Sequence, residues 1–386
     1  MTVPLADPRR QAWVEVDLGA IAANVGVLAE TVAPAALWVV VKADGYGHGA
    51  APVARAALEA GAEGLCVALV QEGVALRQAG ILAPVLVLSE QPEDQLDELV
   101  RWRLTATAYS LDQLEALAHE AREAGVATVR VHLKVDTGMH RVGARTDELV
   151  PLVQALLARP ELRWEGLWTH LARADETRVS TTVTQLARLD AAIGVMQEAG
   201  YPPPLVHAAN SAGALAWGPA ARRDMVRSGI AVYGIPPGPE VAAECAELQP
   251  ALSLRACVTH VQRVPPGEGI SYGHRLVLER EATIATLPLG YADGVPRRLG
   301  DRGGEVLLGG RRRAIAGAVT MDQLMVDCGD DFVAPGDEAV LIGVQGGEEI
   351  TASEWAERLE TIAYEVVTGL SPRLPRRYEG EEPEPA

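Results

Sequence analysis

Phenylalanine is almost missing from this chain: 386 residues carry one Phe beside seven Trp and eight Tyr. Leu, Val and Ala must therefore do most of the packing. Hydrophobic residues still make up 48% of the chain, ample for buried cores, and the length points to two domains. Cysteine is also sparse. Cys66, Cys245, Cys257 and Cys328 form no C-x-x-C pair and no zinc spacing, which argues against a redox pair or a zinc ribbon; lone cysteines of this kind are usually buried small hydrophobes. Basic residues are outnumbered 34 to 52, for a net charge of −18. That balance disfavours nucleic acid or an anionic membrane as a partner, since both require clustered Lys and Arg. No apolar run approaches a membrane span, and Met1 to Arg10 lacks the apolar segment of a signal peptide, so a reducing cytoplasm is expected. His48, His119, His132 and His260 are not paired at metal spacing and read as structural or surface residues; no metal site is expected.

What the chain has is a repeated alternation. Short apolar runs fall at Leu37–Val41, Leu65–Leu69, Val85–Leu88, Thr105–Tyr109, Val129–Val135, Trp164–Trp168, Leu205–His207 and Met225–Arg227. Amphipathic stretches separate them, such as Leu111–Ala124, opened by Ser110 as an N-cap. Eight strands alternating with helices point to a (β/α)8 barrel, here expected over residues 12–240, with a doubly wound open sheet as the alternative. After about Gly238 the period changes to two, as in Leu252–Thr259 and Ala282–Leu289, with Gly- and Pro-rich turns between. Residues 241–380 are thus expected to form a mostly β domain, with residues 1–11 packed on it and residues 381–386 a disordered acidic tail.

Active sites of such barrels gather at the C-terminal ends of the strands, and the loops after strands seven and eight often hold phosphate. The polar residues that fall there are Lys42, Lys134, Asp136, Arg141, His170, His207, Asn210, Ser211 and Arg227, with Gly229 and Ile230 just beyond. Lys42 closes the apolar run Val39-Val40-Val41 and opens Ala43-Asp44-Gly45-Tyr46-Gly47-His48-Gly49. A lysine at the mouth of an apolar strand can be desolvated, which lowers its pKa and frees the amine to attack a carbonyl. A lysine plus a phosphate pocket points to a phosphorylated carbonyl cofactor.

The Lys42 segment resembles the cofactor-lysine segment of the alanine racemase family, fold-type III enzymes that use pyridoxal phosphate. The resemblance continues through Leu133-Lys134-Val135-Asp136-Thr137-Gly138-Met139-His140-Arg141-Val142-Gly143, Thr169-His170, His207-Ala208-Ala209-Asn210-Ser211-Ala212 and Met225–Gly234. In the second half it includes Ser271-Tyr272-Gly273, Leu289–Gly294, Met321-Asp322-Gln323 and Tyr364-Glu365-Val366. It implies a cytoplasmic homodimer that interconverts L- and D-alanine and supplies D-alanine for peptidoglycan. Lys42 is implied to bind pyridoxal phosphate covalently and to act as base on one face of the substrate. Tyr46, Ser211, Gly229, Ile230 and Tyr364 are implied to hold the phosphate, with His170 and Asn210 near the cofactor. Arg227 is implied to face the pyridine nitrogen; an arginine keeps its proton there, so the ring draws electrons less strongly than beside a carboxylate. Tyr272, from the second subunit, is implied to serve the opposite face. A tyrosine titrates near 10 when unperturbed, and His170 with Arg227 would tune it. Arg141 and the backbone N–H of Met321 are implied to bind the substrate carboxylate, with Tyr291, Asp322 and Lys134 in support. Lys134 is carboxylated in some relatives.

Thr320 stands where many relatives have Cys, and Pro372 where a Tyr is common. The rival readings are a racemase of wider specificity that also takes serine, a fold-type III amino-acid decarboxylase and a non-catalytic cofactor-binding barrel. A decarboxylase would be expected to place a carboxylate where Arg227 stands, and a cofactor-binding barrel would lack the β domain.

Overall fold

The computed structural model describes residue 7 and residues 9–380; the expected acidic tail and most of the expected N-terminal packing segment lie outside the described residues. The chain divides into two units, residues 20–45 with 49–249, and residues 1–19 with 46–48 and 250–386.

The first strand, β1 (Ala12–Asp17), belongs to the second unit, where it pairs with Leu252–Cys257 on one side and Arg376–Glu379 on the other. The expected barrel start at residue 12 is therefore corrected. Trp13, Val14 and Val16 are buried, so these residues read equally well as a barrel strand; only long-range pairing decides.

The first unit is the barrel. Its strands are β2 (Ala36–Val40), β3 (Gly64–Val67), β4 (Val85–Val87), β5 (Ala106–Ala108), β6 (Val129–Lys134), β7 (Leu162–Trp168), β8 (Val206–His207) and β9 (Met225–Ser228). They are parallel in the order β4-β3-β2-β9-β8-β7-β6-β5. A parallel bridge from Leu86 to Thr105 closes the ring, with Val87 N donating to Thr105 O at 2.9 Å and Thr105 N to Val85 O at 2.8 Å. The closed ring, rather than an open doubly wound sheet, follows from that bridge. Strands β3, β4, β5 and β9 are buried along their whole length, as expected when helices cover one face and packed side chains fill the other. Ser110 caps the helix Leu111–Glu123 by accepting from Gln113 N at 3.2 Å.

The second unit is mainly β. Its larger sheet runs β16 (Arg312–Ala314), β15 (Glu305–Leu308), β18 (Glu338–Gln345), β10 (Leu252–Cys257), β1, β20 (Arg376–Glu379), with β19 (Glu348–Ile350) on β18. β1 is antiparallel to β10 and parallel to β20. A three-stranded sheet joins β11 (His260–Val264), β14 (Ala282–Leu287) and β17 (Leu324–Asp327), and a short pair joins β12 (Gly269–Ile270) and β13 (Leu276–Val277). Val264, Ile270, Leu278, Ala282, Ile284 and Ala316 pack together in its core. Thr351 caps the helix Ala352–Leu359, accepting from Glu354 N at 3.0 Å. Among the described residues, no helix is long and apolar enough to cross a membrane.

Candidate active site

Lys42 follows β2, and the backbone turns left-handed straight after it. Ala43, Asp44 and Gly45 have φ of 51°, 53° and 60°. Glycine tolerates this, but alanine and aspartate do not prefer it, at about 1–2 kcal/mol per residue. Gly45 N donates to Val41 O at 2.9 Å, and Asp44 Oδ1 accepts from Ala50 N at 2.9 Å, so the turn is pinned at both ends. Burial, and then the charge of Arg141, push the Lys42 amine below its ordinary pKa; Glu72 and Cys66 act the other way.

Arg227 lies on β9, the neighbour of β2 in the ring, and is almost fully buried. Its Nη1 meets His207 Nδ1 at 2.5 Å. Its Nη2 donates to Thr169 O at 2.9 Å and Ala208 O at 3.2 Å, and reaches His170 Nδ1 at 3.4 Å. Burial lowers its pKa to about 10, so it stays charged at neutral pH. Arg227 and His170 are thus neighbours, the first half of the chain that the resemblance implied would run on to Tyr272.

A second layer lies deeper in the barrel. His207 Nε2 meets His132 Nδ1 at 2.9 Å, and His132 Nε2 stands 3.9 Å from Glu165 Oε2. Trp168 stacks on His207 with ring centres 5.5 Å apart. Lys134 Nζ lies 4.0 Å from the centre of that indole and the Arg227 guanidinium 4.5 Å from it. Lys134 is 3% exposed; burial first, then Arg227 and Arg141, lower its pKa to about 7. Burial and the Arg227 charge hold His170 and His207 well below the usual imidazole range, so both are neutral at pH 7. Burial raises the Cys66 thiol to about 12, which leaves it protonated and inert.

Other expected residues have structural partners. Ser211 Oγ accepts from Gly229 N at 2.9 Å and from Ala231 N at 3.3 Å, fixing the turn after β9. Asn210 Oδ1 accepts from Gly213 N at 2.9 Å and caps the short helix Ser211–Ala216. Asp136 Oδ1 accepts from Gly138 N at 2.9 Å and from Met139 and His140 N at 3.1 Å, which shapes the loop leading to exposed Arg141.

The second unit holds the remaining candidates. Tyr46 and Tyr364 have ring centres 6.1 Å apart. Gly47, at φ +81°, is a close approach: a Cβ there would lie 2.3 Å from Val367 O. Tyr272 sits in the turn between β12 and β13 and is 72% exposed; Met321 and Tyr291 are exposed as well. Their loops are stitched together, with Tyr291 N donating to Thr320 O at 2.9 Å and Ala292 N to Met321 O at 3.0 Å. Ser271 Oγ ties the Tyr272 turn to Ala318 O at 2.7 Å, and Arg373 Nη2 donates to Asp322 Oδ1 at 2.8 Å.

Sequence reading did not single out Glu72, Glu165, Gln185 or the pairing of His132 with His207. Gln185, on the helix Thr181–Glu198, donates to His170 O at 2.9 Å and to Thr137 Oγ1 at 3.3 Å. His132 gave one signal: it sits inside an apolar strand run, where a histidine must find partners. No group of three or more His, Cys, Asp or Glu that could hold a metal ion occurs among the described residues.

A lysine of lowered pKa just past the end of β2 and a pinned guanidinium on the neighbouring β9 sit in a closed parallel ring, and that ring defines a (β/α)8 barrel, the class of fold that gathers its active sites at the strand ends. Residues 16–237 match the family model for the alanine racemase N-terminal domain, and residues 251–378 that for the alanine racemase C-terminal domain. The chain belongs to the alanine racemase family. It is 49% identical to the alanine racemase of Symbiobacterium thermophilum over 97% of this chain and 99% of that one. The alanine racemase structure from Streptomyces coelicolor A3(2) superposes with a TM-score of 0.91 at 42% identity, covering 96% and 98% of the two chains. A histidine racemase structure from Leuconostoc mesenteroides reaches a TM-score of 0.90 at 28% identity, covering 97% of this chain and all (100%) of that one.

Proposed function

We infer that this protein is an alanine racemase, an isomerase that interconverts L- and D-alanine. The observation that carries the reading is Lys42, an amine of lowered pKa at the end of a barrel strand, in a chain whose two halves match the two alanine racemase domains in order.

The donor set suits pyridoxal phosphate. The aldehyde needs an uncharged amine, and Lys42 has a lowered pKa; the anionic oxygens suit a site where the charges of Arg227 and Arg141 both reach Lys134 and that of Arg141 reaches Lys42. Lys42 would hold the cofactor covalently, Arg227 would face the ring nitrogen, and Ser211, Gly229, Ile230, Tyr46 and Tyr364 would serve the phosphate, with His170 and Asn210 in support. When bound, this cofactor supplies an electron-withdrawing ring that makes the α-proton of an amino acid acidic. The Lys42 amine removes or returns that proton on one face. Tyr272, contributed by a second copy, does so on the other. Arg141 and the Met321 N–H bind the carboxylate, and Tyr291, Asp322 and Lys134 support them. The exposed cluster of Tyr272, Tyr291 and Met321 supports a homodimer, since large apolar side chains grouped on a surface favour being covered. The product would supply D-alanine to peptidoglycan in the cytoplasm.

Likeness to a histidine racemase means that the fold alone does not set the substrate. Purified protein with added pyridoxal phosphate should therefore be given L-alanine, L-serine and L-histidine separately, with both enantiomers read by chiral chromatography. D-alanine as the dominant product supports the reading. Dominant D-serine or D-histidine moves the specificity, and carbon dioxide release without racemisation replaces the reading with a decarboxylase.

A further inference from the structure

We propose that Glu72 is a positioning residue for Lys42: its carboxylate clasps the left-handed turn that carries the lysine and adds negative charge beside the amine. This deepens the reading above, because it concerns the same lysine.

Glu72 lies on the helix Val70–Gln78, directly after β3, and β3 pairs with β2. Its two oxygens have separate tasks. Oε2 accepts from Ala68 N at 2.8 Å and Leu69 N at 3.1 Å, closing the start of its own helix. Oε1 accepts from Ala43 N at 2.6 Å. Capping needs only the first oxygen; the second is committed to the peptide that follows Lys42. A bond from N–H to a carboxylate is charge-assisted and stronger than a neutral one. The peptide it holds begins a run of left-handed residues, Ala43, Asp44 and Gly45, that persists only where the surroundings over-determine it. The bonds from Gly45 to Val41 and from Ala50 to Asp44 come from within the same segment, whereas the Glu72 bond anchors the turn to a different element.

The charge has a second effect. Arg141 disfavours the Lys42 ammonium, and Glu72 and Cys66 favour it, with Lys134 and His170 also within electrostatic reach of Lys42. The Cys66 thiol is protonated, so Glu72 is the carboxylate in this group that moderates the amine. Removing that charge while keeping the shape should make Lys42 lose its proton at lower pH. A residue that merely capped its helix would leave the lysine unaffected.

The test uses the full chain stripped of pyridoxal phosphate. Lys42 is modified with a lysine-acylating reagent across a pH series, and the modified peptide is quantified by mass spectrometry. Glu72→Gln should move the midpoint of Lys42 modification to lower pH. It should also weaken retention of added pyridoxal phosphate on dialysis about tenfold, the scale of one hydrogen bond to a charged group. Gln91 Oε1 accepts from Val70 N at 3.3 Å at the start of the same helix without touching Ala43. Gln91→Ala should therefore match the parent in both readings. An unmoved midpoint in Glu72→Gln, or the same two changes in Gln91→Ala, overturns the proposal. Should Glu72→Gln fail to fold, Glu72→Asp keeps the charge but shortens the reach; it should keep the parent midpoint and lose cofactor retention, and full retention overturns the clasp. Lys42 reactivity is read without racemisation. A parent enzyme that made no D-alanine would remove the functional reading and leave this one standing.

Discussion

Arg227 Nη1 lies 2.5 Å from His207 Nδ1, and this contact fixes where the buried histidines carry their protons. A guanidinium only donates, so His207 Nδ1 accepts and its proton is on Nε2. That nitrogen faces His132 Nδ1 at 2.9 Å, which puts the His132 proton on its own Nε2, towards Glu165. Nitrogen-15 NMR of histidine-labelled protein should show both rings neutral at pH 7 and protonated on Nε2. A proton on Nδ1 of either ring would contradict the arrangement.

Removing the acceptor leaves a buried charge short of a partner. His207→Leu should destabilise the fold by about 2–4 kcal/mol in urea unfolding, because the Arg227 guanidinium cannot leave the barrel to find water. His207→Gln, which can still accept from Arg227, should lose less than His207→Leu. Equal losses would mean that packing against Trp168, and not the hydrogen bond, sets the cost.

Lys134 gives the stability a pH dependence. Its pKa is about 7 in the folded chain and near the ordinary lysine value of 10.5 when unfolded, so the folded state disfavours the charge. Below pH 7 the full penalty applies, and it fades as pH rises through the window from 7 to 10.5. Lys134→Met removes the charge and keeps much of the volume. Its gain over the parent in urea unfolding should shrink by about 2 kcal/mol between pH 6 and pH 9. A constant difference over that range would show that Lys134 does not titrate there.

The dimer reading has a complementation test. Lys42→Ala and Tyr272→Phe chains should each be severely impaired on their own. Mixed under conditions of subunit exchange, they should recover part of the parental rate, because one of the two sites in a mixed dimer then has both bases intact. No recovery with exchange verified by mass would place both bases in one chain.

The barrel was legible because each of its strands is a short apolar run that can be recognised without its neighbours. Strand β1 was not: its apolar residues fit either unit, and its pairing with β10 and β20 joins residues more than two hundred positions apart. Lys42, Arg227 and His170 were singled out because polar residues stand out at the ends of apolar runs, and the structure brings Arg227 and His170 together. Glu72 was missed because it reads as an ordinary acidic residue in a helix's first turn, and no local pattern shows its second oxygen reaching Ala43.

The sequence by itself determined the alternation of strands and helices, the switch to period two, and the identity of the lysine and arginine at the strand ends, all of which depend on local spacing and chemistry. Only the tertiary structure decided that the ring closes, that β1 joins the far end of the chain, that Lys42 and Lys134 have lowered pKa values, and that Arg227, His207 and His132 form one connected line. Those properties come from burial and from contacts between distant segments. Burial changes the energy of a charge, and only folding brings such segments within a hydrogen bond of each other.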